Sequence, residues 1–417
     1  MNIQQLLDSF PRTCGREHRC AIERVEIGRG AISALTELCR DAKTILVLSD
    51  ENTFAAAGEQ TLAALAGKEL CRVTFPGDLL VVPDEQAAAA MEPHLGHVDA
   101  IVGIGAGVMQ DLSKYGASLA HIPCHIVATA PSMDGYASTG AAMIMGGMKV
   151  TYPVAVPTSI LADTAVLKDA PMELIRAGYG DIVGKFSALN DWKLSHVVKG
   201  EYFCQKVYDL MDEALQKTLT LADGLVQRDE ESVGALMEAL VLAGIAMAFA
   251  GSSRPASGSE HHLSHYFEIT GLLEGNPYFP HGIDVAYSTV VTAQIRQQLL
   301  AAPFPREAVP FDRTDWEANM HRVYSTAADG CIALQDKVGH YATGRMETYL
   351  AKEDAIRAVL SEVPSPEEIE AMLRAVGLDM AEFYELYDEQ KLRDAVLYAK
   401  DLKDRYTVLW MYWDLLR

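Results

Sequence analysis

The chain has 417 residues, 49% of them apolar and 22% charged, and its 57 acids against 35 bases leave a formal net charge of −22. Length and composition together exclude a disordered or fibrous chain and suggest two or three globular domains. The acidic balance excludes a general nucleic-acid binder, which needs clustered lysine and arginine to release counterions.

The seven cysteines, Cys14, Cys20, Cys39, Cys71, Cys124, Cys204 and Cys331, include no CxxC pair, so neither a disulfide framework nor a zinc ribbon is read. The first twenty residues lack the apolar core of a signal peptide. No segment reaches the ~18 consecutive apolar residues of a membrane span. Tyr406 to Leu416 (YTVLWMYWDLL) comes nearest and reads as a buried terminal helix. A cytoplasmic protein with no membrane and no nucleic-acid partner is expected.

In chain order, residues 1–165 alternate short apolar runs with helical stretches. Thr44 to Ser49, Arg72 to Phe75, Ala100 to Ile104 and His125 to Thr129 read as buried strands, and Gly58 to Leu70 and Glu85 to Leu95 as helices. That alternation implies a parallel sheet with helical crossovers. Ala141 to Tyr152 reads as a hairpin turning at Gly146-Gly147.

From about Asp163 the pattern turns helical, with long stretches over Tyr202 to Leu225, Glu230 to Ala250 and Ala351 to Leu360. Ser365, Pro366 and Glu368 spell a capped helix start. The expectation is an α/β nucleotide-type domain over residues 1–165 and an all-α domain over 166–417, with a cleft between them.

Asp99 to Lys114 (DAIVGIGAGVMQDLSK) is a strand, a glycine cluster and a helix. Such a loop either cradles a pyrophosphate on backbone amides or is a tight strand-to-helix turn. The usual ribose-binding acid follows the loop by ~20 residues, whereas Asp50 precedes it. Asp50 either accepts ribose hydroxyls, disfavouring a 2′-phosphate, or simply ends its strand.

In Ser257 to Glu268 (SGSEHHLSHYFE), His261 and His265 are four apart and share one helix face, with His262 on another. Gly251 to Pro255 reads as the start of that helix, His281 as the start of the next, and Asp181 as an acid at a helix start. One aspartate and two histidines leave a metal an open coordination position. The alternative is core histidines with a helix-start acid.

Four separated segments, Thr129 to Gly135 (TAPSMDG), Lys149 to Pro153 (KVTYP), Ala177 to Lys185 (AGYGDIVGK) and Ser257 to His265 (SGSEHHLSH), occur in one order. In these the chain resembles the bacterial branch of the sn-glycerol-1-phosphate dehydrogenases, within the iron-containing alcohol dehydrogenase and dehydroquinate synthase-like superfamily. The likeness runs from the Thr44 strand to His281, a little over half of the chain.

The resemblance implies the dehydroquinate synthase-like fold, a Rossmann-like dinucleotide-binding domain over residues 1–165 and an all-α metal- and substrate-binding domain over 166–417, with the active site in the interdomain cleft. It implies Asp181, His261 and His281 as ligands of one divalent metal ion (zinc, nickel or iron), Asp134 and His265 as catalytic, and Asp134, Asp181 and His265 as substrate-binding. For NAD(H) or NADP(H) it implies Asp50, Gly105, Gly107, Val108, Met109, Gln110, Asp111, Thr129, Ala130, Pro131, Ser132 and Ser138. Ala106 stands where many relatives have glycine or serine, adding a methyl group near the expected diphosphate path.

The implied reaction is reversible, metal-dependent reduction of dihydroxyacetone phosphate to sn-glycerol 1-phosphate by NAD(P)H, in a homo-oligomer, with a dimer favoured. The rivals are a polyol dehydrogenase acting on an unphosphorylated substrate and a sugar-phosphate cyclase. Lys149, Lys185 and Arg254 are candidates for neutralising the phosphate, or are plain salt-bridge partners. The chain beyond Ala302 is helical by pattern and carries none of these motifs.

Overall fold

A computed structural model describes residues 3–10, 14–78, 81–145 and 148–417, with only the backbone of Met148 and Lys149. The chain forms two compact units: Met1–Tyr179 with Gln216–Ser252, and Gly180–Leu215 with Ser253–Arg417.

The first unit is α/β. Its strands are β1 (Arg24–Ile27), β2 (Thr44–Asp50), β3 (Glu69–Phe75), β4 (Ala100–Gly105), β5 (Cys124–Ala128), β6 (Gly140–Met145), β7 (Met148–Pro153) and β8 (Ser159–Ala162). Six of them form one parallel sheet in the order β1-β8-β5-β4-β2-β3. The central strands read as continuous apolar runs because both faces are covered. Ile45, Val47, Val102, Ile104, Val127 and Leu161 form one buried cluster with Ile32 and Leu35.

The four predicted strands are present. Missing from the sequence reading are β1 and β8, each only four residues long and too short to show a period. The predicted hairpin is the antiparallel pair β6–β7, and its turn at Gly146-Gly147 lies outside the described residues. The helix expected over Gly58 to Leu70 instead spans Glu51–Ala64. Asp50 and Thr53 close a capping box that starts it early, and Leu70 belongs to β3, opposite Ile45 of β2.

These units differ from the sequence division at residue 165 in two places. The helix Met172–Val183 stays with the sheet as far as Tyr179, because Gly178 lies so close to the Pro131 carbonyl that an added Cβ would sit 1.9 Å from its oxygen. The helix Glu230–Ala250 also belongs to the first unit, where a Cβ at Gly244 would meet that of Ala137 at 2.6 Å. By length and composition this helix could cross a membrane, and 83% of its most apolar window is buried inside the protein. Glu238 interrupts the run, so the sequence holds no uninterrupted apolar stretch of spanning length there.

The second unit contains helices and no strand among its described residues. The principal ones are Lys185–Lys199, Ser259–Glu274, His281–Ala301, Arg313–Tyr324, Pro366–Ala375 and Val408–Leu415. Trp192, Trp316, Trp410, Tyr266 and Tyr324 fill its interior. The expected terminal helix is buried, and the Ser365–Glu368 capping box is formed.

Candidate metal centre and dinucleotide loop

The helices Ser259–Glu274 and His281–Ala301 bring three imidazoles together. The His261 ring lies 5.1 Å from that of His281 and 6.1 Å from that of His265, while His265 and His281 stack at 5.4 Å. Asp181 is fully buried, and its Oδ1 lies 3.7 Å from His261 Nε2. Contrary to the sequence reading, Asp181 sits in the last turn of Met172–Val183, and the next helix begins at Lys185. Gly251 to Pro255 likewise starts no helix. Gly251 takes φ 67° to end Glu230–Ala250, and the histidine helix begins at Ser259.

Two neighbours settle which nitrogen each histidine presents. Glu260 Oε1 lies 2.7 Å from His261 Nδ1 and, as a buried carboxylate, holds the proton there, so Nε2 turns a lone pair toward Asp181. Ser264 Oγ donates to the His281 carbonyl at 3.3 Å, which leaves it to accept from His281 Nδ1 at 3.2 Å, so Nε2 is the nitrogen whose lone pair a cation would use. Burial pushes the Glu260 carboxyl above its ordinary value, opposed by the Gly258 amide and Lys185. His262 is fully buried with neither ring nitrogen hydrogen-bonded, and burial holds it neutral beside Arg405, Lys403 and Arg254. It is a core residue.

Asp191 fixes the entry to the histidine helix. Its Oδ2 accepts from Ser259 N at 2.6 Å and its Oδ1 from Val408 N at 2.8 Å, with Arg296 Nη2 at 3.0 Å. Arg254, buried, donates to Glu201, Ser195 and the Tyr406 carbonyl. Arg405 donates to Ser253 Oγ and, at 3.2 Å, to the Ser257 carbonyl. The chain beyond Ala302 therefore braces the loop that precedes the histidine helix. Lys185 spends its ammonium on Asp181 Oδ1 (2.7 Å) and the Ala256 carbonyl (3.0 Å). Lys185 and Arg254 are thus internal ion-pair partners, and the Lys149 side chain lies outside the described residues.

In the first unit, the helix Gly107–Ala120 starts directly after β4, and no side chain caps it at Ala106. The amides of Gly107, Val108 and Met109 therefore lack helical partners and can take an anion, aided by the helix dipole. Met109 and Gln110 point into the core, so the loop can serve a ligand only through its backbone there. Asp111 Oδ1 accepts from Gln110 Nε2 at 2.9 Å and pairs with Lys114 at 3.2 Å. Lys114, fully buried, also donates to the Gly135 and Gly140 carbonyls and to Ser138 Oγ.

That lysine ties the glycine-loop helix to the turn Asp134–Ala137, where Asp134 is buried. Thr129, Ala130, Pro131 and Ser132 follow β5, with Thr129 N donating to the Gly105 carbonyl and Tyr136 OH to that of Ala130. Asp50 uses Oδ1 to cap Thr53 N at 2.8 Å, the role of a strand-end acid.

Residues 26–171 match the iron-containing alcohol dehydrogenase family. The chain is 34% identical over 290 residues to glycerol-1-phosphate dehydrogenase [NAD(P)+] of Halalkalibacterium halodurans, an alignment spanning 68% of this chain and 73% of the relative. It is 31% identical over 417 residues to the enzyme of that name from Geobacillus stearothermophilus, spanning 96% of each. The chain belongs to the glycerol-1-phosphate dehydrogenase family. Among solved structures, the iron-containing alcohol dehydrogenase of Thermococcus thioreducens superposes with TM-score 0.60 at 15% identity, covering 90% of both chains, and shares the α/β plus helical fold.

The donor set fits the divalent ion of an iron-containing alcohol dehydrogenase. An ion bonded at about 2.1 Å to a carboxylate oxygen and an imidazole nitrogen at a tetrahedral angle holds them about 3.4 Å apart. The Asp181–His261 distance of 3.7 Å is within a few tenths of that. Sequence reasoning passed over Glu260, Ser264, Asp191 and Lys114. Only the Glu260/Ser264 pair left a signal, standing one residue before His261 and His265 in the same four-residue step.

Proposed function

We propose that the protein catalyses the reversible NAD(P)H-linked reduction of dihydroxyacetone phosphate to sn-glycerol 1-phosphate, with one divalent ion held by Asp181, His261 and His281. The observation that carries this reading is the convergence of a buried aspartate and two histidines whose Nδ1 sides are already taken by Glu260 and Ser264. When bound, the ion supplies Lewis-acid polarisation of a ketone and the dinucleotide supplies a hydride.

The rest falls to the chain's own side chains. Asp181 is buried and offers the one hard anionic donor of the trio. His265, stacked on His281, is the group to hold the proton that completes the alcohol. Asp134 is the group to orient the substrate hydroxyls. The uncapped amides from Gly107 to Met109 would receive the diphosphate, with Asp111, Thr129 to Ser132 and Ser138 around the nicotinamide half and Asp50 toward the ribose. In this reading the first unit is the dinucleotide part and the second the metal part. The working enzyme in this reading is a cytoplasmic homo-oligomer, a dimer in the first instance.

A second reading, a polyol dehydrogenase, is favoured by one observation: Lys185 and Arg254 are consumed by internal partners and leave no phosphate grip there. One experiment separates the two. NADH and NADPH oxidation is followed with dihydroxyacetone phosphate and, beside it, dihydroxyacetone, after chelation and add-back of zinc, nickel and iron(II) singly. Turnover confined to the phosphorylated ketone is expected, and turnover confined to dihydroxyacetone would overturn the assignment. His261→Ala should abolish the metal-dependent rate, so full activity in that variant would sink the ligand assignment.

A further inference from the structure

A buried carboxylate is costly unless a positive charge compensates it. At Asp181 the chain itself supplies such a charge. Lys185 Nζ has no solvent exposure and lies 2.7 Å from Asp181 Oδ1. The same Oδ1 is the oxygen that faces His261 Nε2 at 3.7 Å. The Ala256 carbonyl, at 3.0 Å, holds the ammonium in place from the loop before the histidine helix, and Glu260 contributes a second buried carboxylate within its field. The ammonium therefore addresses the oxygen that a cation held by Asp181 and His261 would use.

We propose that Lys185 is a built-in counter-cation of the metal centre: it keeps the metal-free centre assembled and, by competing for Asp181 Oδ1, limits how tightly a divalent ion is held. The inference rests on the reading of Asp181, His261 and His281 as the metal ligands. Its physical basis is direct. A metal entering this site must share one carboxylate with a fixed positive charge a few ångströms away, and like charges in a poorly solvated place repel strongly. In return, loss of the ion would leave no unpaired buried anion at Asp181, so the site would survive it. A centre built this way exchanges its metal and accepts more than one divalent ion, where an uncompensated carboxylate would trap whichever ion arrived first.

The test is zinc affinity, measured by competition with a chromophoric chelator, together with thermal unfolding of the full chain with and without zinc. Lys185→Met keeps the length of the side chain and removes its charge. The expected result is zinc binding at least about tenfold tighter than in the wild type, a lower unfolding temperature without zinc, and near-wild-type stability with it. A variant that is soluble only when zinc is supplied gives the same answer, since the ion then replaces the ammonium. The double variant Asp181→Asn with Lys185→Met carries neither charge and should regain metal-free stability while losing zinc.

Unchanged or weaker zinc binding by Lys185→Met would overturn the proposal, since the lysine would then position Asp181 rather than compete for it. Failure of the ligand reading looks different: His261→Ala would bind zinc as well as the wild type, and both readings would fall together.

Discussion

Replacing Asp191 with alanine tests whether the histidine helix is held at its entry by one buried carboxylate. Asp191 accepts from Ser259 N at 2.6 Å and Val408 N at 2.8 Å and pairs with Arg296 at 3.0 Å, all without solvent exposure. Hydrogen bonds to a charged group contribute ~1.5–3 kcal/mol each, and removing one partner of a buried ion pair costs ~3–5 kcal/mol. These terms share one carboxylate, and Arg296 keeps Asn190 Oδ1 and the Thr292 and Ser187 carbonyls. The net loss is therefore about 4 kcal/mol, well short of the sum.

All four tryptophans, Trp192, Trp316, Trp410 and Trp413, belong to the helical unit, so tryptophan fluorescence in urea follows that unit alone. With a slope of ~3 kcal/mol per molar, the midpoint should fall by about 1.3 M. Zinc affinity should fall with it, because Ser259 is the first residue of the helix that carries His261 and His265. A midpoint shift under about 0.3 M would refute the view that this carboxylate organises the site.

Glu260→Gln removes the charge that holds the proton on His261 Nδ1, and zinc affinity should fall ~10- to 100-fold with little change in metal-free unfolding temperature; an unchanged affinity counts against the orienting role. Gly178→Ala drives a methyl group into the Pro131 carbonyl and should cost ~1–3 kcal/mol while weakening NAD(H) binding; a calorimetric titration as tight as the wild type would show that the 129–132 segment does not touch the dinucleotide.

Burial lifts the Asp284 carboxyl well above its usual range, with the Tyr387 hydroxyl pulling the other way. The folded chain thus keeps a proton that the unfolded chain gives up near pH ~4, and stability is lost as pH rises from there toward the raised value. Asp284→Asn should therefore unfold at a higher temperature than the wild type at pH 7, with the gap narrowing toward pH 5; a wild type more stable at pH 7 would contradict this. Arg254→Ala should destabilise the protein and reduce turnover of phosphorylated and unphosphorylated ketones alike, because the guanidinium serves Glu201 and Tyr406; a loss confined to the phosphorylated ketone would return Arg254 to the substrate.

What was legible in the sequence was whatever repeats with a period or ends with a cap. The β2, β4 and β5 runs, the helices Glu85–Leu95 and Glu230–Ala250, and the Ser365 cap all follow from residue types a few positions apart. The four-residue step from His261 to His265 placed both rings on one side of their helix, where the structure finds them 6.1 Å apart.

Long-range structure was not legible. Nothing local marks β1 as the partner of β8, Asp191 as the acceptor for Val408 N, or Lys185 as the partner of Asp181 rather than of a phosphate. Asp181 was misplaced at a helix start because the glycines around it read as a break, whereas Gly178 and Gly180 sit inside the helix and Gly184 follows its end.

The bracing of the histidine helix separates two events in the life of the chain. Ser253 is held by an arginine 152 residues further along, and Asp191 by an amide 217 residues further along. A chain leaving the ribosome at ~5–20 residues per second therefore shows Asp181, His261 and His281 to the solvent roughly ten seconds before Arg405 and Val408 emerge to fix them. In that interval the three proposed ligands exist without the geometry, and any metal they catch is held by a floppy peptide. Selective loading belongs after translation, when the late segment has closed over the loop.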